Sequence, residues 1–99
     1  MLSLPPSVTI YIATSPLDMR KSINGMTSIV TGVLKKDVFK GALFVFCNKR
    51  GDKIKIFYWD RNGYCFWHKR LERGVFRLPK VTSGNAYSVS SSELNLILE

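Results

Sequence analysis

Histidine and cysteine are scarce in this chain: one imidazole, His68, and two thiols, Cys47 and Cys65, among 99 residues. There is no C-x-x-C and no Cys/His spacing that suits zinc, so neither a metal nor a cofactor is expected. Two cysteines do not make a disulfide framework. Both sit in apolar runs and read as small buried side chains. Neither G-x-x-x-x-G-K-[ST] nor G-x-G-x-x-G occurs, which removes the usual phosphate-cradling loops. No apolar run approaches ~18 residues, the length a spanning helix needs. The opening "MLSLPPSVTIYIA" lacks a basic n-region and a cleavage site. A cytoplasmic protein without membrane contact is the expectation.

Acid is also scarce. Seven Asp and Glu face fifteen Lys and Arg, for a net charge of +8 and a pI near 9.8. A small domain so unbalanced repels itself and attracts polyanions, nucleic acid first and an anionic membrane surface second. The plainer reading is that the charge only keeps the chain soluble. The surplus is not spread evenly. Residues 49–80 hold ten bases against three acids, nearly all of the chain's excess.

What is abundant is core material: 45% hydrophobic and 12% aromatic residues. One domain over residues 1–99 follows, burying roughly 60–70% of its unfolded surface. "VTIYIA" (8–13) reads as a strand. Ser15, Pro16 and Asp18 read as a helix start, and Met19, Ile23, Met26, Val30, Val33 and Leu34 recur at helical spacing. A helix over about 16–35 is predicted, with Gly25 and Gly32 on one stripe where another backbone could approach. "ALFVFC" (42–47) is apolar on both faces and should be covered on both. "NKRGD" (48–52) is a turn. "KIKIFYW" (53–59) and "YCFWHKRLE" (64–72) flank Asn62-Gly63, a hairpin signal. "VFRL" (75–78) reads as a short strand and "AYSV" (86–89) as an edge strand. Ser90 with Glu93 makes a capping box before a short last helix. The fold class is α+β: a mainly antiparallel sheet of four to six strands, the longer helix packed on it, and a short C-terminal helix.

The hairpin divides by alternation. One face holds Ile54, Ile56, Tyr58, Cys65, Trp67 and Leu71, with Lys69 its only charge; this is core. The other holds Lys53, Lys55, Phe57, Trp59, Tyr64, Phe66, His68 and Arg70. A two-residue turn at Asn62-Gly63 pairs 59 with 66, 57 with 68 and 55 with 70, setting Lys55 against Arg70. A four-residue loop over 60–63 shifts the pairs and keeps the faces. Rings beside cations suit nucleic acid, since bases stack and ammonium or guanidinium groups meet phosphates. Alternatively, the C-terminal segment covers Phe57, Trp59 and Phe66, and the cations reach past it to water.

Catalysis finds little support. His68 lies beside Lys69 and Arg70, which lower its pKa. Cys65 faces the opposite way. Asp52, Asp60 and Glu72 could be drawn as the metal ligands of a nuclease, but all fall in predicted turns, where carboxylates serve backbone N–H groups.

"LDMRKSINGM" (17–26), "LFVFCNKRGDKIKIFYWDRNGYCFWHKRLERGVF" (43–76) and the trailing "LP" (78–79) resemble the second-reading-frame protein of the insertion sequence 66 family of bacterial transposable elements. The resemblance rests on Asp18, Met19, Arg20, Lys21, Arg50, Asp52, Lys55, Trp59, Asp60, Gly63, Lys69, Arg70, Leu71, Glu72 and Phe76. Family members often carry Trp where this chain has Leu78. The resemblance implies an accessory of transposition encoded beside a separate transposase, and it supplies no catalytic residues. The combined expectation is a non-catalytic DNA-binding accessory that binds element ends or non-specific duplex, mainly through phosphates. Its candidate contacts are Lys49, Arg50, Lys53, Lys55, Arg61, Lys69, Arg70 and Arg73, with Arg20 and Lys21 secondary. The alternative is a module that docks on the transposase or associates with itself.

Overall fold

The run apolar on both faces becomes the middle of a sheet. In the computed structural model, which describes residues 4–81 and 83–99, β2 (Leu43–Cys47) lies third in a five-stranded order β4-β3-β2-β1-β5. The others are β1 (Ile10–Ala13), β3 (Lys53–Asp60), β4 (Gly63–Arg70) and β5 (Ala86–Val89). β1 and β2 run parallel, and the remaining pairs are antiparallel. A parallel pair needs a crossover, and here the crossover carries the helical layer: α1 (Ile23–Ser28), a π-helical turn (Ile29–Val33) and a 3-10 turn (Val38–Lys40). Met26, Val30, Leu34 and Val38 from that layer pack on Phe44, Phe46 and Phe57. On the opposite face Leu94 and Leu98 of α2 (Ser91–Leu98) pack on Ile10, Ile12, Val45, Ile54 and Ile56. The architecture is the expected α+β sheet with two helices, and both faces of β2 are covered.

The first helix starts later than its periodicity predicts. Residues 16–22 are not helical and contain a turn closed by the Lys21 N–H donating to the Asp18 carbonyl at 3.0 Å. Asp18 accepts hydrogen bonds from the backbone N–H of Arg20 at 2.9 Å and from its guanidinium at 2.8–3.2 Å, and a carboxylate so engaged favours a turn over a helix interior. The cap is Ser22, whose Oγ accepts from the Gly25 N–H at 3.1 Å. Gly25 and Gly32 do not admit another backbone: the nearest atoms at Gly25 are side-chain atoms of Lys21 and Ser22, and Gly32 has nothing within 4 Å.

The hairpin takes the register of the longer loop. Trp59 pairs with Tyr64, Phe57 with Phe66, Lys55 with His68 and Lys53 with Arg70. Asp60 pairs with Gly63, and Arg61, at φ 49, takes the left-handed turn conformation. The like-charge pair is therefore Lys53 against Arg70, not Lys55 against Arg70. The two faces divide as the alternation predicts. The cover is reversed, however: the crossover layer, not the C-terminal segment, lies over Phe57, and α2 lies on the Ile54/Ile56 face. No strand forms at 75–78. Phe76 is buried and its N–H donates to the Gly51 carbonyl at 2.8 Å, a single link to a turn in place of a ladder. At the chain's end the capping box is complete, with Ser90 Oγ accepting from Glu93 N–H at 3.1 Å and Glu93 Oε1 from Ser90 N–H at 3.0 Å.

Phe57 is fully buried, whereas its cross-strand partner Phe66 is 38% exposed. Phe57→Ala should therefore cost about 3–5 kcal/mol, and Phe66→Ala well under half of that. Urea denaturation of the two variants measures the difference.

Candidate nucleic-acid interface

The candidate interface forms where two turns meet at one end of the β1–β2 pair. Leu17 is buried, and its N–H donates to the Cys47 carbonyl at 2.9 Å, drawing the 16–21 turn against the 48–52 turn. Asn48 builds the second turn. Its Oδ1 accepts from the N–H groups of Gly51 and Lys53, both at 3.0 Å, and its Nδ2 donates to Asp52 Oδ1 at 2.7 Å. Gly51 supplies the positive φ, +82°, and lies close under Val75. Between the turns opens a cleft of about 550 Å³ whose rim includes Arg20, Lys49, Arg50 and Lys53, with Asp18 the one acid. Four of the ten nominated cations thus come together from segments about thirty residues apart in the chain.

The other six do not join that rim. Lys55 Nζ donates to the Met19 carbonyl at 3.0 Å and lies 4.9 Å from the Phe66 ring centre, so it ties the first turn to the sheet. Lys69 is on the opposite face and donates to the Leu98 carbonyl at 2.6 Å. A cation there satisfies the carbonyl end of α2, which explains the charge on an otherwise apolar face. Arg70 shares the Lys53 face and contacts Glu72 at 3.2 Å, both side chains well exposed. Arg61 sits at the hairpin tip, Arg73 lines a separate groove with Leu96 and Glu99, and Lys21 is exposed beside α1.

The ionisable groups follow this arrangement. Partial burial, then Lys55, Lys53 and Arg70, holds the His68 imidazole below its ordinary value. Lys69, its sequence neighbour, takes no part because alternation turns it to the other face. The Arg20 guanidinium and backbone hold the Asp18 carboxyl well below the usual carboxylate range, and burial pushes the Cys47 thiol up. Cys47 and Cys65 are half-buried free thiols. Asp52 and Asp60 stand at opposite ends of β3, about 26 Å apart at ~3.3 Å per residue, too far to share a metal ion. Among the described residues no group of three or more His, Cys, Asp or Glu gathers as a metal site. No helix among them is long and apolar enough to cross a membrane.

Comparison with known proteins decides the family. Residues 8–99 match the family described as IS66 Orf2 like protein. The chain belongs to this family. Two proteins of Sinorhizobium fredii, the uncharacterized proteins y4jC and y4hO, are each 36% identical to it over 98 residues, covering 99% of this chain and 83% and 84% of their own lengths. No solved structure matches. Membership in the IS66 Orf2-like family implies an accessory role in the insertion sequence.

The residues that carry the family resemblance now have physical roles. Asp18, Met19 and Arg20 make the first turn, and Lys55 holds it through the Met19 carbonyl. Asp52 belongs to the second turn, and its own carbonyl accepts the Leu71 N–H at 2.8 Å. Asp60 and Gly63 close the hairpin, and Phe76 fills the core near Gly51. Arg50 is the motif residue left exposed on the cleft rim, with no partner among the described residues. The organising residue that the sequence reading passes over is Asn48. Its signal was present, since Asn at the head of a Gly-containing turn bonds backbone N–H groups two or more residues on.

Asn48→Ala removes three hydrogen bonds at a half-buried site, and a loss of about 2–3 kcal/mol is expected in chemical denaturation. The sign for His68 is also set. With its folded-state pKa depressed, the neutral imidazole contributes stability that is full above its ordinary value of 6.5 and is lost as pH falls through that value toward the folded one. An NMR titration should place the His68 midpoint below 6.5, and His68→Gln should flatten the denaturation midpoint over the same interval.

Proposed function

We propose that this chain is a non-catalytic DNA-binding accessory of insertion-sequence transposition, gripping phosphates through Lys49, Arg50 and Lys53, with Arg20 and Arg70, each paired to a carboxylate, beside them. The reading rests on one observation above the others: these rim cations converge from two separate turns on an open cleft whose only acid is already bound to Arg20. Cations brought within reach of one another and left to solvent are costly unless an anion offsets them. Phosphates do so at regular spacing. Side-chain contacts to phosphate position a protein on DNA without reading sequence, so binding to element ends should exceed binding to random duplex only modestly. The family supports the transposition context. Lys55 and Lys69 leave the set of contacts because each already serves a backbone carbonyl.

A second reading has its own observation. Phe39 is 60% exposed and stands edge-on to Trp59 with ring centres 4.9 Å apart, an aromatic ledge suited to a protein partner such as the transposase or another copy of the chain.

Three phosphate contacts from this rim contribute about −2.7 to the log–log salt slope on duplex DNA. A slope shallower than about −1, or no retention of duplex at low salt, counts against the DNA reading. Charge reversal at Lys49, Arg50 and Lys53 should weaken DNA retention at least tenfold and leave co-purification of transposase intact. Phe39→Ser should do the converse if the ledge docks protein.

A further inference from the structure

We propose that the chain holds one DNA duplex at two places, the second being a basic cleft built from Lys35, Lys36 and Lys40. This rests on the DNA-binding reading above and specifies its substrate as duplex of a minimum length. The second cleft measures about 500 Å³ and is lined by Thr9, Tyr11, Lys35, Lys36, Asp37 and Lys40 among others. Three ammonium groups meet one carboxylate there, and Asp37 is engaged in accepting the Phe39 N–H at 2.9 Å. The cations are positioned by the backbone. Lys36 N–H donates to the Val30 carbonyl at 3.0 Å, closing the helical layer, and Lys35 takes a left-handed φ of 58° that reverses the chain. Lys36 Nζ lies 4.5 Å from the centre of the Tyr11 ring, which steadies its ammonium at the cleft.

The placement of the two clefts argues that they act together. Tyr11 packs with the cluster under α1, and Lys53 lies on the same side of the sheet as Phe57. Both clefts therefore open on the helical-layer side. Ala42 lines the second and Asn48 the first, at the two ends of β2. The six residue steps from Ala42 to Asn48 span about 20 Å, and phosphates rise ~3.4 Å per base pair along one strand, so the span is roughly six base pairs. Nothing acidic lies between, since residues 19–36 contain no Asp or Glu. The exposed side chains of the layer include Asn24, Ser28 and Thr31 together with Ile23 and Val33, none of them charged, so a duplex can pass over the layer without charge repulsion. A stiff duplex spans a fixed separation at little cost, because its persistence length is about 150 base pairs.

The test uses two neutralised variants of the full chain, Lys35→Gln/Lys36→Gln/Lys40→Gln and Lys49→Gln/Arg50→Gln/Lys53→Gln, each checked for folding by circular dichroism. Binding is read by anisotropy over a salt series on hairpin-closed DNA stems of about 4 and about 12 base pairs. On the long stem each variant should lose about 2.7 units of salt slope and about tenfold or more in affinity. On the short stem, which reaches one cleft at a time, the wild type should show the shallower slope and each variant should bind within about threefold of it. Should the Lys36 change unfold the chain, Lys35→Gln/Lys40→Gln should still lose about 1.8 units of slope. An unchanged long-stem slope in the Lys35/Lys36/Lys40 variant overturns the second contact while leaving the DNA reading standing. Two long stems bound per chain at saturation overturns the single-duplex geometry. Absence of any binding by the wild type removes the DNA reading beneath both.

Discussion

Burial of the β2–β3 pair on both sides is the constraint from which the other features follow. Phe44, Phe46 and Phe57 lie under the helical layer, and Val45, Ile54 and Ile56 under α2. A strand pair covered on both sides leaves neither face to water, so charges carried on these strands must leave at strand ends or at the open β4 edge. Lys53 emerges at the start of β3 onto a cleft rim, and Phe66, His68 and Arg70 emerge along β4. The layers thus turn a charge spread along sequence into charge gathered at rims.

Two cations show what happens when an exit is blocked. Lys55 and Lys69 start on faces that are covered, and each ammonium ends on a carbonyl: Met19 at the head of the crossover and Leu98 at the tail of α2. Even a partly buried ammonium loses hydration that an acceptor must replace, so these contacts do double service, satisfying the cation and pinning a chain segment to the sheet. The remaining positive charge is little compensated. Only two ion pairs occur among the described residues, both on exposed side chains, and such pairs contribute about 0–1 kcal/mol. Apolar burial outweighs the self-repulsion that this leaves, and a polyanion would relieve it.

Much of the fold was legible because periodicity is local. Alternation at 53–70 separates the faces whatever the turn length of even count, and Ser90 with Glu93 announces α2 within four residues. Where local signals compete, the sequence reading goes astray. Ser15-Pro16 and Ser22 are both fair helix starts, and the choice falls to Ser22 because Leu17 is drawn to the Cys47 carbonyl and Asp18 to Arg20. Asn62-Gly63 signals a turn, yet the turn centres one residue earlier on Arg61 because Asp60 and Gly63 pair across the ladder. The segment 75–78 has strand composition, but the chain meets the Gly51 turn there and not a free strand edge.

Sequence by itself determined the class of fold, the two hairpin faces, the charge surplus in residues 49–80 and the kinship with the insertion sequence 66 family. Composition and short-range spacing carry all of these. Tertiary structure alone decided which cations share a cleft and which serve a carbonyl. Arg20 meets Arg50, and Lys35 meets Lys40 beside Tyr11, only after the crossover folds back over the sheet. Whether an ammonium faces solvent or a carbonyl depends on which segment lies above it, and that is set by packing between residues far apart in the chain.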